Sequence, residues 1–143
     1  MRFIGLLKAD ESSERGDMPT PELMENMGKF MEEVTQAGVL LAGDGLKPSS
    51  QGKRVKVEGG KISVIDGPFT ESKELIASYA LFETKTIDEA VEWTTRFLKV
   101  IGSGECEIRP IWEATDFPAD LFPPEEVEKE RAMREEWAKK ANS

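Results

Sequence analysis

One short segment concentrates side chains that could do chemistry, the nine residues Asp66–Glu74 with the sequence DGPFTESKE. Asp-Gly-Pro predicts a tight turn at a strand end, because glycine tolerates unusual backbone angles and proline fixes its own. Four ionisable groups crowd beside one aromatic ring, that of Phe69. A carboxylate held near that ring could have a raised pKa, so Asp66 is a candidate general acid or base. Alternatively, Asp66 caps the turn and Glu71 and Lys73 form a surface ion pair.

Two residues elsewhere, Arg109 and Asp44, are further candidates for ligand binding. Arg109 can hold an anionic group through its paired N–H donors, or it can lock a neighbouring carboxylate. Asp44 lies between two glycines at the end of a predicted strand. With Lys73 or Arg109 holding an anionic group, the pattern predicts a small polar or anionic ligand. Nothing in the spacing of the acidic residues requires a divalent ion, so we predict no metal and no cofactor.

The composition excludes several classes of function. The chain has 143 residues, no histidine and one cysteine, Cys106. A Ser-His-Asp or Cys-His nucleophile, a histidine-ligated metal, an internal disulfide and a CxxC pair are therefore ruled out. A net charge of −9 disfavours direct binding to nucleic acid. The apolar run at Phe3–Leu7 is too short for a signal peptide, and no run could span a bilayer, so we predict a cytoplasmic protein without membrane contact.

The elements that would position these residues follow from the hydrophobic spacing. Strands are predicted over 2–9, 39–42, 75–82 and 106–112, and a hairpin over 54–64 with Gly59-Gly60 as its turn. One helix begins at Thr20-Pro21 and ends before Gly38; another begins with a capping box at Thr86 and ends before Gly102. Residues 10–18 and 43–48 read as loops. The methionines of the first helix, Tyr79 and Cys106 read as core residues.

The element order predicts an α+β fold, a ferredoxin-like βαβ-βαβ sandwich with an inserted β-hairpin and both helices on one face of the sheet. Residues 1–114 form this domain, and residues 115–143 form a proline-marked linker and a charged C-terminal helix over 125–141. The first and third strands are apolar on both sides, so the uncovered sheet face predicts a homodimer. The C-terminal helix is either solvated or a contact for a protein partner.

The Asp66–Glu74 segment resembles the signature of the DGPF-domain proteins, a branch of the YCII-related family. Further similarity lies in segments spread over nearly the whole chain, Met1–Lys8, Ala42–Leu46, Ile87–Trp93 and Glu107–Ile111. The resemblance implies the ferredoxin-like fold of the dimeric α/β-barrel type. Some members of the family are attached to or encoded beside extracytoplasmic-function sigma factors. A His–Asp pair has been proposed as the active site in the broader group, but this chain has no histidine, so only Asp66 carries over.

Two hypotheses about function therefore stand. The first is a small-molecule-binding or regulatory dimeric domain, linked to sigma-factor-dependent transcription. It is favoured by the absence of histidine and by the charged C-terminal helix. The second is a cofactor-independent enzyme for acid–base or hydrolytic chemistry on a small polar metabolite, with Asp66 as acid or base. A buried Asp66 favours the enzyme, and an Asp66 that serves its own turn favours the binding domain.

Overall fold

The computed structural model describes residues 1–70 and 74–141, and the chain divides into two units, Met1–Ile111 and Trp112–Ser143. In the described part of the first unit the elements are, in chain order, β1 (Arg2–Lys8), α1 (Glu11–Arg15), α2 (Pro21–Gln36), β2 (Leu40–Gly45), β3 (Lys53–Glu58), β4 (Lys61–Asp66), β5 (Ile76–Glu83), α3 (Ile87–Ile101) and β6 (Cys106–Pro110). This order is the predicted one, strand–helix–strand twice with a hairpin between, apart from the short helix α1.

The main sheet is antiparallel and four-stranded, in the order β2-β5-β1-β6. The first strand of each βαβ half lies in the centre and the second at an edge, which is the arrangement of a ferredoxin-like sandwich. The predicted α+β, ferredoxin-like fold is therefore confirmed, together with its inserted hairpin and C-terminal helix.

The core lies where α3 crosses the central strands. Phe3 and Phe82 are paired across β1 and β5, and together with Ala90 of α3 they form the buried cluster. The ring of Phe82 occupies the space beside Gly5, since a Cβ at Gly5 would lie only 2.9 Å from the ring. Val34 of α2 is also buried. Burying side chains of this size contributes about 1.5–3 kcal/mol each.

Helices α2 and α3 begin at the predicted N-cap threonines and end beside the predicted glycines. Of the capping box predicted at Thr86, the threonine half is present, whereas the Glu89 carboxylate accepts from the N–H of Lys85 at 3.1 Å. Thr20 accepts a hydrogen bond from the backbone N–H of Leu23, and Thr86 accepts one from Glu89. Both interactions satisfy an N–H that the first turn of a helix leaves unpaired. Gly102 ends α3 in the left-handed conformation, with φ of 91°.

Two segments predicted to be loops are regular structure. Residues 10–18 contain α1, because Asp10 accepts from the N–H of Ser13 at 2.8 Å and the Ser13 hydroxyl accepts from the N–H of Asp10 at 2.9 Å. This reciprocal capping box is a local signal that the acidic composition obscured. Strand β2 continues to Gly45, so Asp44 lies within a strand, opposite Tyr79 of β5. The strand is extended by its pairing with β5, which short-range patterns do not reveal.

The predicted hairpin forms a separate two-stranded sheet, β3–β4. Gly59 and Gly60 make its turn with φ of 57° and 80°, values that glycine adopts without strain. The register pairs Val55 with Val64 and Val57 with Ile62, and all four of these side chains are exposed.

The second unit contains helix α4 (Pro124–Ala141). The rings of Phe117 and Phe122 lie 5.9 Å apart, and Phe117 also contacts Trp112. On α4, the guanidinium of Arg134 pairs with Glu130 at 2.8 Å, one turn earlier. Over the residues that the structure describes, no helix is both long enough and apolar enough to cross a membrane.

The N-cap of α3 gives a direct test of the fold. Thr86→Ala should lower the free energy of unfolding by about 1 kcal/mol, because one N–H of the first turn loses its acceptor. Thr86→Ser keeps the hydroxyl and should retain most of the stability. Urea denaturation followed by far-ultraviolet circular dichroism measures both, and an unchanged midpoint for Thr86→Ala would contradict the role of the cap.

Candidate functional site

A cavity of about 290 Å³ lies between helices α2 and α3 and one face of the main sheet. Helices α2 and α3 contribute large apolar and aromatic side chains, and the strands contribute mainly small residues. The lining comprises Gly5, Leu7, Met27, Phe30, Met31, Val34, Leu40, Gly43, Asp44, Gly45, Ser78, Tyr79, Ala80, Phe82, Trp93, Thr94, Phe97 and Cys106.

The cavity exists because small residues face large ones across the helix–sheet interface. On the sheet, Gly5, Gly43, Gly45, Ser78 and Ala80 provide a floor with little side-chain volume. A Cβ added at Gly45 would meet no heavy atom within 4 Å, so the space above this position is open. Protein interiors normally leave few voids larger than a water molecule. An unfilled volume of this size, bounded by well-formed elements, is therefore a candidate binding site.

The roof of the cavity is aromatic. The ring of Phe30 on α2 lies 6.2 Å from that of Trp93 and 6.1 Å from that of Phe97, both on α3. The rings are tilted relative to one another, as aromatic pairs prefer. Met27 and Met31 complete this wall with flexible, polarisable side chains that adapt to irregular shapes. The methionines predicted to be core residues therefore line a cavity, and Met24 of the same helix is exposed.

An ion pair and two ring contacts hold the roof together on its outer side. The guanidinium of Arg96 on α3 pairs with the carboxylate of Glu33 on α2. The same guanidinium lies 4.6 Å from the ring centre of Trp93 and 5.9 Å from that of Phe30. Both distances fall within the range of a cation–π interaction. Arg96 therefore joins α2 to α3 beside the cavity.

Three polar side chains of the lining lie on the cavity's side of the elements: Thr94, Ser78 and Cys106. Thr94 is only 6% exposed, and its hydroxyl oxygen has no hydrogen-bond partner among the described residues. Buried polar atoms are nearly always paired, so this oxygen is an exception, and it is too deeply buried to be reached from the cavity. Burial raises the pKa of the Cys106 thiol, so this group stays protonated at neutral pH.

The side chains of Asp44 and Tyr79, two further residues of the lining, are hydrogen-bonded to each other. The Tyr79 hydroxyl donates to Asp44 Oδ2 at 2.9 Å, and this bond raises the pKa of Tyr79. Side chains alternate along a strand, and Ala80 and Phe82 face the helices. The side chains of Asp44 and Tyr79 therefore lie on the opposite face of the sheet, and only their main chain borders the cavity. Tyr79, predicted to be a core residue, instead bonds a carboxylate at that face.

The Asp66–Phe69 turn is built differently from a catalytic cleft. The Asp66 carboxylate is 75% exposed and pairs with Lys53 Nζ at 2.5 Å. Downstream, the N–H of Phe69 donates to Ser49 Oγ at 3.1 Å, and the Ser49 hydroxyl in turn donates to Glu14. The turn is thus tied to a neighbouring loop through its backbone, while the Asp66 side chain faces solvent.

The turn needs glycine at position 67 because the backbone of a neighbouring loop approaches it closely. The N–H of Gly67 donates to the carbonyl of Gly52 at 3.0 Å. A Cβ at Gly67 would lie 1.7 Å from the carbonyl oxygen of Ser49, a distance that no side chain can occupy. The guanidinium of Arg54 lies 4.0 Å from the centre of the Phe69 ring and covers it. The segment that attracted attention by its composition therefore has a clear structural role.

The predicted site residues that the structure describes do not share the cavity. Of these described residues, Asp44 lines the cavity, and Asp66, Phe69 and Arg109 do not. Arg109 is exposed and lies 3.8 Å from Glu107 on its own strand. Glu71 and Lys73 lie outside the described residues. The roles predicted for these residues stay predictions.

The residues that do form the cavity carried only weak signals in the sequence. Thr94 occupies a position in the apolar stripe of α3, and a single threonine in such a stripe does not by itself predict a functional role. Gly43 and Gly45 read as loop glycines, and Ser78 and Ala80 as members of an apolar strand. A useful signal was the concentration of small residues on one face of three paired strands, but it becomes visible only once the strand register is known.

Comparison with known proteins gives three results. A family model described as YCII-related domain matches residues 1–115. An uncharacterized protein of Rhizobium meliloti (strain 1021) is 27% identical over 90 residues, which cover 62% of this chain and 73% of that protein. Among solved structures, 5-chloro-2-hydroxyhydroquinone dehydrochlorinase from Burkholderia phenoliruptrix AC1100, in complex with 2,5-dihydroxybenzoquinone, is similar with a TM-score of 0.44 and 13% identity, covering 82% of this chain and 100% of that chain.

The two roles considered for the Asp66–Phe69 turn make different predictions for stability. Gly67→Ala should cost about 1–3 kcal/mol or more, because the added methyl group collides with the Ser49 carbonyl. Asp66→Asn should cost less than about 1 kcal/mol, because it removes only an exposed ion pair. Urea denaturation of both variants beside the wild type measures the difference. Equal effects of the two substitutions would contradict the close approach at Gly67.

Proposed function

The chain belongs to the YCII-related domain family, and we propose that it binds a small apolar molecule in the cavity between α2, α3 and the sheet, as a homodimer. The observation that carries the proposal is the cavity itself, with its floor of small residues and its aromatic roof. An engineered apolar cavity of roughly 150 Å³ is enough to bind a benzene molecule. A cavity of about 290 Å³ accommodates a ligand of one or two rings.

The nature of the lining supports an apolar ligand rather than the polar or anionic ligand predicted from the Asp66–Glu74 segment. Asp44 is the single charged residue among the described lining residues, and its side chain lies on the far face of the sheet. A charged ligand would lose its hydration without gaining a countercharge. Apolar walls with one or two placed polar groups are the usual composition of a small-molecule site.

The same lining favours binding over catalysis. General acid–base chemistry needs a titratable group within hydrogen-bond reach of the reacting atoms. In the described lining, the titratable side chain on the cavity's side is Cys106, and burial raises its pKa away from neutral pH. Asp66, the predicted acid or base, is exposed and paired with Lys53. The lining therefore suits a binding domain better than an acid–base enzyme.

The exposed face of the sheet supports the proposed homodimer. By alternation, Ile4 and Leu6 of β1 and Leu81 of β5 lie on the face opposite the helices. All three are only partly buried, whereas Phe3 and Phe82 on the helix face are buried. A second copy placed against this face would remove these side chains from water.

Charges on the same face are arranged so that a second copy can match them. Lys8 Nζ lies 3.4 Å from Glu107 Oε1, and Arg109 lies on the other side of Glu107. Positive and negative groups thus alternate beside the apolar centre, and a two-fold axis can place unlike charges opposite each other.

A protein partner at α4 and a link to sigma-factor-dependent transcription are retained as predictions of the sequence.

Binding in the cavity can be tested with 6-propionyl-2-(dimethylamino)naphthalene, a neutral two-ring probe whose fluorescence emission shifts to the blue in apolar surroundings. The wild-type chain should bind it saturably, with about one probe per chain. Gly45→Leu should weaken binding of the probe by about tenfold or more. The leucine side chain would fill part of the cavity, so the probe would bury less of its apolar surface there. A fluorescence titration measures the affinity of each protein.

Gly45→Ala is the matched control, because it changes the same backbone position but adds a single methyl group. It should bind the probe within about threefold of the wild type. Absence of saturable binding to the wild type would overturn the proposed function. Equal binding by wild type and Gly45→Leu would place the probe elsewhere and also overturn it.

The homodimer has a separate test. Leu6→Glu should convert the protein to a folded monomer at micromolar concentration, because it buries an unpaired charge at the centre of the proposed interface. Val57→Glu, which puts the same charge on the exposed hairpin, should leave the dimer intact. Sedimentation velocity measures the mass in solution. A monomeric wild type, or a Leu6→Glu variant that stays dimeric, would refute the proposed interface.

A further inference from the structure

We propose that the hairpin β3–β4 is a docking surface for an extended acidic segment of another protein, which adds as a third strand beside β3. The hairpin is separate from the cavity, so the inference does not depend on the proposed ligand. Four features of the hairpin support it: the exposure of its residues, the open edge of β3, the difference between its two faces and the hydrogen bonds at its base.

The hairpin leaves its two-stranded sheet uncovered. Every residue of β3 and β4 is exposed. In the part of the chain that the structure describes, these two strands form a sheet of their own, so the outer edge of each has no strand beside it. A two-stranded hairpin is marginally stable alone, and an unpaired edge is a template for another strand. An extended segment of a partner would find main-chain donors and acceptors along such an edge.

One face of the hairpin is apolar. Val55 pairs with Val64 and Val57 pairs with Ile62, so all four side chains lie on the same face. They are between 58% and 71% exposed. Branched apolar side chains that lie side by side in water form a patch of the kind that marks an interaction site. A strand added beside β3 would extend this patch with apolar side chains of its own and remove part of it from water.

The other face of the hairpin is mainly basic. Arg54, Lys56 and Lys61 lie on this face, and Glu58 is its one acidic residue. Lys56 Nζ lies 3.1 Å from Glu58 Oε2, so one positive charge is partly balanced within β3. Residues 53–66 include four basic and two acidic side chains, whereas the whole chain carries a net charge of −9. The hairpin is therefore positive within a negative protein, and it attracts an acidic partner.

The two faces together specify the pattern of the partner. A strand beside β3 places alternate residues on the apolar face and on the basic face, so the matching segment alternates apolar and acidic residues. A second copy of the hairpin does not match, because it would bring its own basic residues beside Arg54 and Lys56. A lipid surface does not match either, because the open edge of β3 would enter an apolar phase without hydrogen-bond partners.

The base of the hairpin is held by backbone hydrogen bonds. The N–H of Gly67 donates to the carbonyl of Gly52 at 3.0 Å, which continues the pairing of the two strands. The N–H of Phe69 donates to Ser49 Oγ at 3.1 Å and ties the turn to the neighbouring loop. A preorganised edge loses less conformational freedom on binding. The Asp66–Phe69 turn therefore serves the docking surface by holding its base.

Three rhodamine-labelled heptapeptides test this pattern by fluorescence anisotropy with the full-length protein. The first alternates valine and glutamate, the second alternates valine and lysine, and the third has the residues of the first in the order VVEEVVE. The wild type should bind the first at least about tenfold more tightly than either of the others, because it alone matches both faces. Binding of the first should also slow amide hydrogen exchange in β3, whose edge it covers.

Lys56→Glu is the decisive variant, because it reverses one charge beside the added strand. It should weaken binding of the valine–glutamate peptide by about tenfold and strengthen binding of the valine–lysine peptide. Lys29→Glu makes the same change on α2 and should leave both affinities unchanged. Lys56→Gln removes the charge without reversing it and should weaken the valine–glutamate peptide by about threefold, so it decides the case if Lys56→Glu binds neither peptide.

Several outcomes would overturn the docking surface. They are equal binding of the three peptides, an unchanged preference in both Lys56 variants, and unchanged hydrogen exchange in β3. Two further outcomes would assign the hairpin to another occupant and overturn the proposal as well. A smaller mass of Val57→Glu in sedimentation velocity would indicate a second copy. Binding of the wild type, but not of Val57→Glu, to phosphatidylserine vesicles would indicate a lipid surface.

Discussion

The ring of Phe82 fits over Gly5, and the packing of the helices on the sheet depends on this contact. A side chain at position 5 would push the ring away, and with it the cluster of Phe82, Phe3 and Ala90 that fixes α3 on the central strands. Once the helix is anchored there, its next turn carries Thr94 and Phe97 over small residues of the sheet. The cavity is the consequence of a helix held firmly at one point above a floor that does not reach it.

The two faces of the sheet have different roles because adjacent residues of each strand point in opposite directions. One face meets the helices and forms both the core and the cavity. The other carries Ile4, Leu6 and Leu81 with the Asp44–Tyr79 pair and the charges of Lys8, Glu107 and Arg109. Binding and assembly are therefore proposed for opposite sides of the same strands. Arg109, considered as an anion-binding residue, belongs to the side proposed for assembly.

The Asp66–Phe69 turn shows how a motif rich in ionisable residues can be structural. Gly67 is required by the approach of the Ser49 carbonyl, and the turn is fixed by backbone N–H groups that bind Gly52 and Ser49. The Asp66 carboxylate is exposed, and it pairs with Lys53 across the hairpin. This exposed ion pair differs from both alternatives that the sequence suggested, a buried acid and a residue that caps its own turn.

The sequence by itself determined the secondary structure of the long elements and the ferredoxin-like order, because caps, turn glycines and apolar spacing are local properties that survive in any context. The family was indicated separately, by the resemblance of the Asp66–Glu74 segment to a known signature. It also determined what chemistry is absent from the side chains, since no fold can supply an imidazole or a second thiol. Only the tertiary structure decided where the site lies. Gly5, Gly43, Ser78 and Thr94 are separated along the chain, and their shared cavity follows from strand register and helix packing, which depend on contacts between distant residues. For that reason the local sequence pattern indicated the ionisable Asp66–Glu74 segment as a site. The cavity-lining residues, taken one at a time, have no distinctive pattern in the sequence.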